Sequence, residues 1–263
     1  MCAKKTFNNI ICCSATTSHT TEESCRNHKM SGYLYLIPLP IGDNFSYFNN
    51  NYYKDIILSI DYFIVEDIRT ARRFLKKICK EIIIDDLSFR TFNEHNNEEN
   101  LHDIQEFFKK GGKAGLMSEA GCPAVADPGS EVVMLAHKNN VNVLPLIGPS
   151  SILLALMASG LNGQKFMFNG YLPVNKEERK KRIKHLENIS KKENSSQIFI
   201  ETPYRNNHML NDLINVLENN TLLSISANLD SESCFISTKF VCDWKKSSTV
   251  LDKVPAIFIL LAK

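Results

Sequence analysis

The 263-residue chain is 43% hydrophobic and 23% charged, with a formal net charge of +2. That length supports a sizeable core in one large domain or two small ones, and the composition excludes a fibrous or wholly disordered chain. No apolar run reaches the roughly eighteen residues of a membrane span, and so small a net charge excludes a strong global field, leaving any nucleic-acid contact to a local patch.

Residues 1–29 stand apart: "SATTSHTTEESCRNHKM" is polar, rich in Ser and Thr and aperiodic, which predicts a disordered N-terminal extension. The apolar run in "NNIICCSATT" is too short for a signal-peptide core. The ordered chain is expected from near Met30, itself a candidate start. Four of the eight cysteines crowd into this extension, while Cys79, Cys122, Cys234 and Cys242 are scattered. That is the pattern of free thiols in a cytoplasmic protein, not of a disulfide framework. Cys12, Cys13, Cys25 and His28 lack the second regular pair of a zinc site, so no metal is expected.

From Gly32 the pattern alternates. "YLYLIPL" (33–39) reads as a buried strand, "NYYKDIILSI" (51–60) as a helix, "YFIVED" (62–67) as a strand and "RTARRFLKKI" (69–78) as a helix with a basic face. After "EIIID" and "SFRTFNEHN", "NNEENLHDIQEFFKK" (96–110) is a helix with an acidic start and a basic end, as the helix dipole favours. "KAGLMSEA" and "VNVLPLIG" are strands flanking the helix "SEVVMLAHKNN". In the next helix, "GPSSILLALMASG" (148–160), Pro149 suits the first turn and Ser150 or Ser151 its free N–H groups. This alternation predicts an α/β domain with a largely parallel sheet over 30–162. "KFMFNGYLP" then leads to the charged helix "NKEERKKRIKHLENISKK". "QIFIETP", "LLSISANLD", "CFISTKFV" and "AIFILLAK" are strands, with a helix from Asn206 to Leu217 after the first. Strands with few helices between them predict a mixed sheet in a second α/β domain, 163–263.

Four loops follow predicted strands of the first domain: "PLPIGDN" (38–44), "VEDIRT" (65–70), "SEAGCPAVADPGS" (118–130) and "LIGPSS" (146–151). One Gly- or Pro-containing loop merely ends a strand, but four at the carboxyl edge of a parallel sheet predict a ligand site. No Gly-Lys-Ser/Thr follows the glycines and no G-x-G-x-x-G opens a helix, so neither a P-loop nor a dinucleotide fold is expected. Gly121 and Gly129 instead let backbone approach a ligand closely, which suits a zwitterionic nucleoside better than a polyphosphate. Nothing places His95 or His137 beside Cys122 to activate it, so a packed thiol is expected there. A Ser118/His95/Asp127 triad lacks the G-x-S-x-G turn.

"SEAGCPAVADPG", "PLIGPSS" and "NGYLP", together with Leu39 to Gly42, Glu66 to Arg69, Glu94-His95-Asn96 and Glu201 to Arg205, resemble motifs of the tetrapyrrole methylase superfamily of S-adenosylmethionine (SAM)-dependent methyltransferases. Within it, the resemblance is to the branch containing the bacterial 16S rRNA cytidine 2′-O-methyltransferase, and it runs from about Tyr33 to the C-terminus. It implies two α/β domains with SAM in the cleft between them, usually in a homodimer, and an RNA substrate. The implied cofactor wall comprises Pro40 and Ile41, the stretch Ala120, Gly121, Cys122, Pro123, Val125 and Ala126, and Ser150 and Ser151. Cys122 stands where the family has Thr or Asp, which argues against a nucleophile. Asp43-Asn44, Glu119 and an end at Lys263 depart from the rRNA enzyme and suggest a separate sub-branch.

A ribose hydroxyl is a poor nucleophile and benefits from a base. Glu94 and His95 are the candidates, then Glu66 and Asp67, against helix capping or pairing with Arg69 or Arg72. Arg205 either touches phosphate or pairs with Glu201. Lys180, Lys181 and Arg182 form either an RNA-backbone patch or a solvated face. Two other readings stand beside an rRNA methyltransferase: a SAM-dependent enzyme for a small molecule such as a tetrapyrrole, and a non-catalytic SAM-binding protein.

Overall fold

The computed structural model describes residues 32–92 and 97–263, without the side chains of 97–99. The expected extension at 1–29, with its cysteines, and the candidates Glu94 and His95 lie outside the described residues. The alternation read from the sequence is present as β1 (Tyr33–Leu36), α1 (Asn51–Leu58), β2 (Tyr62–Val65), α2 (Ile68–Ile78), β3 (Ser88–Thr91), α3 (Asn97–Lys109), β4 (Lys113–Met117), α4 (Ser130–Lys138) and β5 (Asn142–Pro145). The five strands are all parallel, in the order β3-β2-β4-β1-β5. Parallel neighbours require crossovers, and the helices supply them on both faces. Successive strand residues divide between two cores: Phe63 joins Phe48, Ile57 and Leu75, whereas Ile64 joins Ile104, Phe108 and Val132. The carboxyl ends of β1, β2, β4 and β5 therefore open on one edge, and the four Gly/Pro loops lie there.

The chain continues through α5 (Ser151–Ser159), β6 (Phe166–Tyr171), α6 (Lys176–Glu193), β7 (Ser196–Glu201), α7 (Asn206–Val216), β8 (Leu222–Ala227), β9 (Phe235–Phe240), α8 (Val241–Trp244) and β10 (Ala256–Leu261). The second sheet has the order β6-β7-β10-β8-β9; β6 and β7 are parallel and the other pairs antiparallel. This is the mixed sheet predicted, and both sheets lie in one compact unit. One of its faces packs Phe199, Ile225 and Phe258 against Ile183, Leu186, Met209 and Leu213 of α6 and α7. The other packs Ile198, Ile257 and Ile259 against Ala155 and Leu156 of α5. Because α5 follows directly on the loop after β5, that packing carries the edge of the first sheet up to the second.

Two boundaries differ from expectation. Pro149 stays outside α5, because its carbonyl accepts from the Cys122 thiol at 3.4 Å; Ser150 takes the N-cap position, but its hydroxyl makes no capping bond. The strand "CFISTKFV" ends at Phe240, where Val241 and Trp244 turn inward as α8 and the Trp244 indole N–H donates to the Leu223 carbonyl at 2.8 Å.

Candidate functional site

The loop between β4 and α4 is held in an uncommon backbone shape. Gly121 and Gly129 have φ of 70° and 128°, and Ala124 and Ala126 lie at 64° and 62°. An L-residue in the left-handed region costs roughly 1–2 kcal/mol, and such strain persists only where the surroundings over-determine it. Here a two-bond bridge does so: Leu39 N–H donates to the Gly121 carbonyl at 2.9 Å, and Gly121 N–H donates to that of Leu39 at 3.0 Å. At Gly129 an added Cβ would also press on Leu116 at 3.0 Å. The loop after β1 and the loop after β4 are thereby locked side by side.

Between this edge and the second sheet lies a cavity of about 290 Å³, near the lower end of the range for small-molecule sites. Ile41, Ala120, Gly121, Cys122, Val125, Ala126, Ser150 and Ser151 line it from the first half. Eight of the ten proposed cofactor-wall residues are thus brought together, and only Pro40 and Pro123 are not in the lining. The second half contributes Phe168, Tyr171, Glu201, Ser226 and Leu229, among others. Ser226 belongs to no motif. Its only sequence signal is that Ser224 and Ser226 repeat at the strand period within an otherwise apolar run.

Two buried polar atoms in this lining have no partner among the described residues: Glu201 Oε2 and Ser226 Oγ. The other Glu201 oxygen is saturated, accepting from Thr202 N–H at 2.7 Å and from Arg205 Nε and Nη2 at 3.0 and 2.6 Å. Arg205 is accordingly the counter-ion of a cavity carboxylate. Unpaired buried groups are costly and call for an explanation. The first turn of α5 begins without a side-chain cap, which leaves its first N–H groups without a side-chain acceptor there, and Ser150, Ser151 and Ile152 line the cavity.

Asp127 and Glu201 bring two carboxyl groups to the lining. Burial pushes the Asp127 carboxyl above the ordinary range, with Glu119 adding to the rise against a Ser118 hydrogen bond. Burial, then the Asp127 and Glu201 carboxylates, push the Tyr171 phenol up. Burial alone raises the Cys122 thiol, which opposes thiolate formation.

Glu66 and Asp67 stand at the end of β2, on the same edge but outside the lining. Glu66 Oε2 accepts from Glu119 N–H at 3.3 Å. Asp67 caps α2, accepting from Thr70 N–H at 2.7 Å, a bond that holds its carboxyl below the ordinary range. Lys180, Lys181 and Arg182 lie on α6 and do not line the cavity. Lys180 pairs with Glu177 at 3.2 Å, and Arg182 donates to Asn169 at 3.2 Å. Among the described residues no group of three or more His, Cys, Asp and Glu forms a metal site, and no helix is long and apolar enough to cross a membrane.

Fold and cavity define an α/β protein of two sheets with a cavity at the carboxyl edge of the parallel one. No family profile matches the chain. It is 35% identical over 188 residues to the ribosomal RNA small subunit methyltransferase I of Bacillus subtilis (strain 168), and 32% identical over 186 residues to the protein of that name from Vibrio cholerae; these matches cover 71% and 70% of this chain. A third relative of that name, from Buchnera aphidicola subsp. Schizaphis graminum, is 27% identical over 237 residues, 88% of this chain and 78% of its own length. The chain is a homologue of these proteins and, with them, a member of the tetrapyrrole methylase superfamily, in the branch its motifs resemble. The matched part spans 60% of the length of the first two relatives, so the activity of those proteins as wholes bears on this chain as a proposal.

Proposed function

We propose that the chain is a SAM-dependent methyltransferase that methylates a ribose 2′-hydroxyl of small-subunit rRNA, built as two α/β domains (30–162 and 163–263) about the cavity. The observation that supports it most is that Glu201 and Ser226, each with an unpartnered buried oxygen, line one cleft together with a strained small-residue loop. The donor set fits a zwitterionic nucleoside: acceptors at Glu201 and Ser226 for hydroxyl or amino groups, the uncapped start of α5 for a carboxylate, and the lining carboxyl groups of Asp127 and Glu201 for a cation. Bound there, SAM supplies an electrophilic methyl group.

The chain's own task is positioning. Holding a hydroxyl in line at near-attack distance contributes roughly 7–11 kcal/mol, and the apolar walls Phe168 and Leu229 keep water out. A base adds a factor of about 10²–10⁴. Of the described carboxylates, Asp127 lines the cleft itself, and its raised pKa suits that role better than the depressed one of the capping Asp67. Glu66, on the same edge, remains a candidate, as do Glu94 and His95, which lie outside the described residues. Arg205 serves as the positioning partner of Glu201, and exposed Ile147, Leu153 and Met157 support a homodimer formed along α5.

Calorimetry with SAM and S-adenosylhomocysteine, followed by mapping of ribose methylation in rRNA from wild-type and deletion cells, tests this reading. Micromolar binding and one missing methyl group are expected. Absence of binding to either nucleoside sinks the cofactor assignment, and an unchanged methylation map with intact binding rejects rRNA in favour of a small-molecule acceptor.

A further inference from the structure

The loop carrying Glu66 and Asp67 leads from the cleft edge directly into α2, and the exposed face of that helix is strongly basic. Between residues 68 and 80 there are six cations and no acid, in a chain whose net charge is only +2. Arg69, Arg72, Arg73, Lys76, Lys77 and Lys80 are all exposed, whereas Ala71, Phe74, Leu75 and Ile78 are buried. The spacing i, i+3, i+4, i+7, i+8 puts Arg69, Arg72, Arg73, Lys76 and Lys77 in one stripe about 12 Å long, at roughly 1.5 Å per residue, and Lys80 follows just past the end of the helix.

None of the six forms an ion pair among the described residues. Lys76 donates to the Lys80 and Ile82 carbonyls, Lys77 lies 3.3 Å from the centre of the Phe45 ring, and Arg72 lies over Phe89. Of the carboxylates at the two ends, Asp67 is held by the Thr70 amide with Arg69 nearby, and Glu81 by the Cys79 thiol with Lys76 nearby, but neither forms an ion pair with the stripe. The charged helix α6, which the sequence marks more loudly, differs in that half of its Lys and Arg residues are ion-paired, whereas Lys176, Lys181, Arg182 and Lys192 form no ion pair among the described residues. Arg179 is buried against Asp212, Lys180 is paired with Glu177, Lys184 with Glu187 and Glu218, and Lys191 with Glu218. Only a cation free of local carboxylates releases counter-ions in full when it meets a phosphate.

We infer that the exposed face of α2, from Arg69 to Lys77, with Lys80 just beyond it, is the surface that grips the phosphate backbone of the RNA substrate, and that α6 is not. The inference rests on the RNA reading above and adds the contact surface to it. The stripe begins one loop from the cradle at 118–130, which Glu66 touches through the Glu119 amide. A backbone laid along α2 therefore runs up to the cleft mouth. Phosphate contacts of this kind set position and register while leaving sequence choice to other groups.

The test is fluorescence anisotropy with a fluorescein-labelled RNA stem–loop over a series of NaCl concentrations. It compares the full chain with two triple variants that remove equal charge: Arg72→Gln/Arg73→Gln/Lys76→Gln on α2 and Lys180→Gln/Lys181→Gln/Arg182→Gln on α6. The α2 triple is expected to lose about tenfold or more in affinity near 0.1 M salt and to flatten the log–log salt slope by about 2–3. The α6 triple is expected to stay within about threefold with the slope unchanged. Calorimetry with S-adenosylhomocysteine, unaltered in both, guards the comparison. If the α2 triple melts early, the single variants Arg73→Gln and Lys76→Gln carry the same test at about one unit of slope each. Equal losses in the two triples, or a loss confined to α6, overturns the inference. Failure of the wild type to bind S-adenosylhomocysteine would strike the cofactor reading and leave the salt comparison to judge the stripe.

Discussion

Cys122 is the residue whose chemistry invites the wrong mechanism. It lines the cleft, yet its thiol donates to the Pro149 carbonyl at 3.4 Å and burial raises its pKa. A thiol so placed is wall, not nucleophile. Cys122→Ser should keep S-adenosylhomocysteine affinity within a few-fold by calorimetry. In the wild type the rate of iodoacetamide modification at Cys122, followed by mass spectrometry, should go on climbing with pH after that of a free thiol has levelled off, because burial raises its pKa. Ser226 behaves oppositely. Its unpartnered buried hydroxyl destabilises the free protein, by an amount within the range of about 1–3 kcal/mol for such groups. Ser226→Ala is therefore expected to raise the melting temperature of the free chain while weakening S-adenosylhomocysteine severalfold. Ser224→Ala removes an equally unpartnered hydroxyl on the same strand, outside the cleft lining, and should stabilise without touching affinity. Equal affinity losses at both sites would remove Ser226 from the site. The glycines of the cradle were legible because only glycine adopts positive φ freely. Ala124 and Ala126 share that geometry and were not, because an alanine carries no such signal.

At the scale of elements, α6 shows how a charge run divides once it folds. Arg179 turns inward, donates to Asp212 Oδ2 from Nε at 2.8 Å and from Nη2 at 2.6 Å, and reaches the Val174 carbonyl at 2.8 Å. It ties α6 to α7 and to the segment after β6. Removing one member of a buried pair leaves an uncompensated charge, so Asp212→Ala should cost about 3–5 kcal/mol in denaturant unfolding. Replacing exposed Lys181 should cost next to nothing. The helices and strands themselves were read nearly to their ends, since periods of 2 and 3.6 are local properties of a sequence. The exceptions are local ends decided by distant atoms. Pro149 is kept out of α5 by a bond from a loop 27 positions away, and Val241 leaves β9 as the chain turns to bury Trp244.

At the scale of the molecule, Ile147, Leu153 and Met157 are 91%, 52% and 78% exposed, and the latter two share one face of a helix whose first turn lines the cleft. Dimerisation there would shield that face and steady the cleft wall. Light scattering after size exclusion should report a dimer for the wild type and a monomer for Leu153→Glu/Met157→Lys; a monomeric wild type ends the proposal. The amino-acid sequence by itself determined the α/β class, the parallel and the mixed sheet and the four loops, because apolar periodicity and Gly/Pro placement are written residue by residue. Only the tertiary structure decided which cations are free and which buried atoms lack partners. It packs α5 on the second sheet and brings Glu201 and Ser226 into one lining with a loop some 80 to 100 residues earlier in the chain. Charge neutralisation and hydrogen-bond satisfaction depend on neighbours in space, and no local pattern records them.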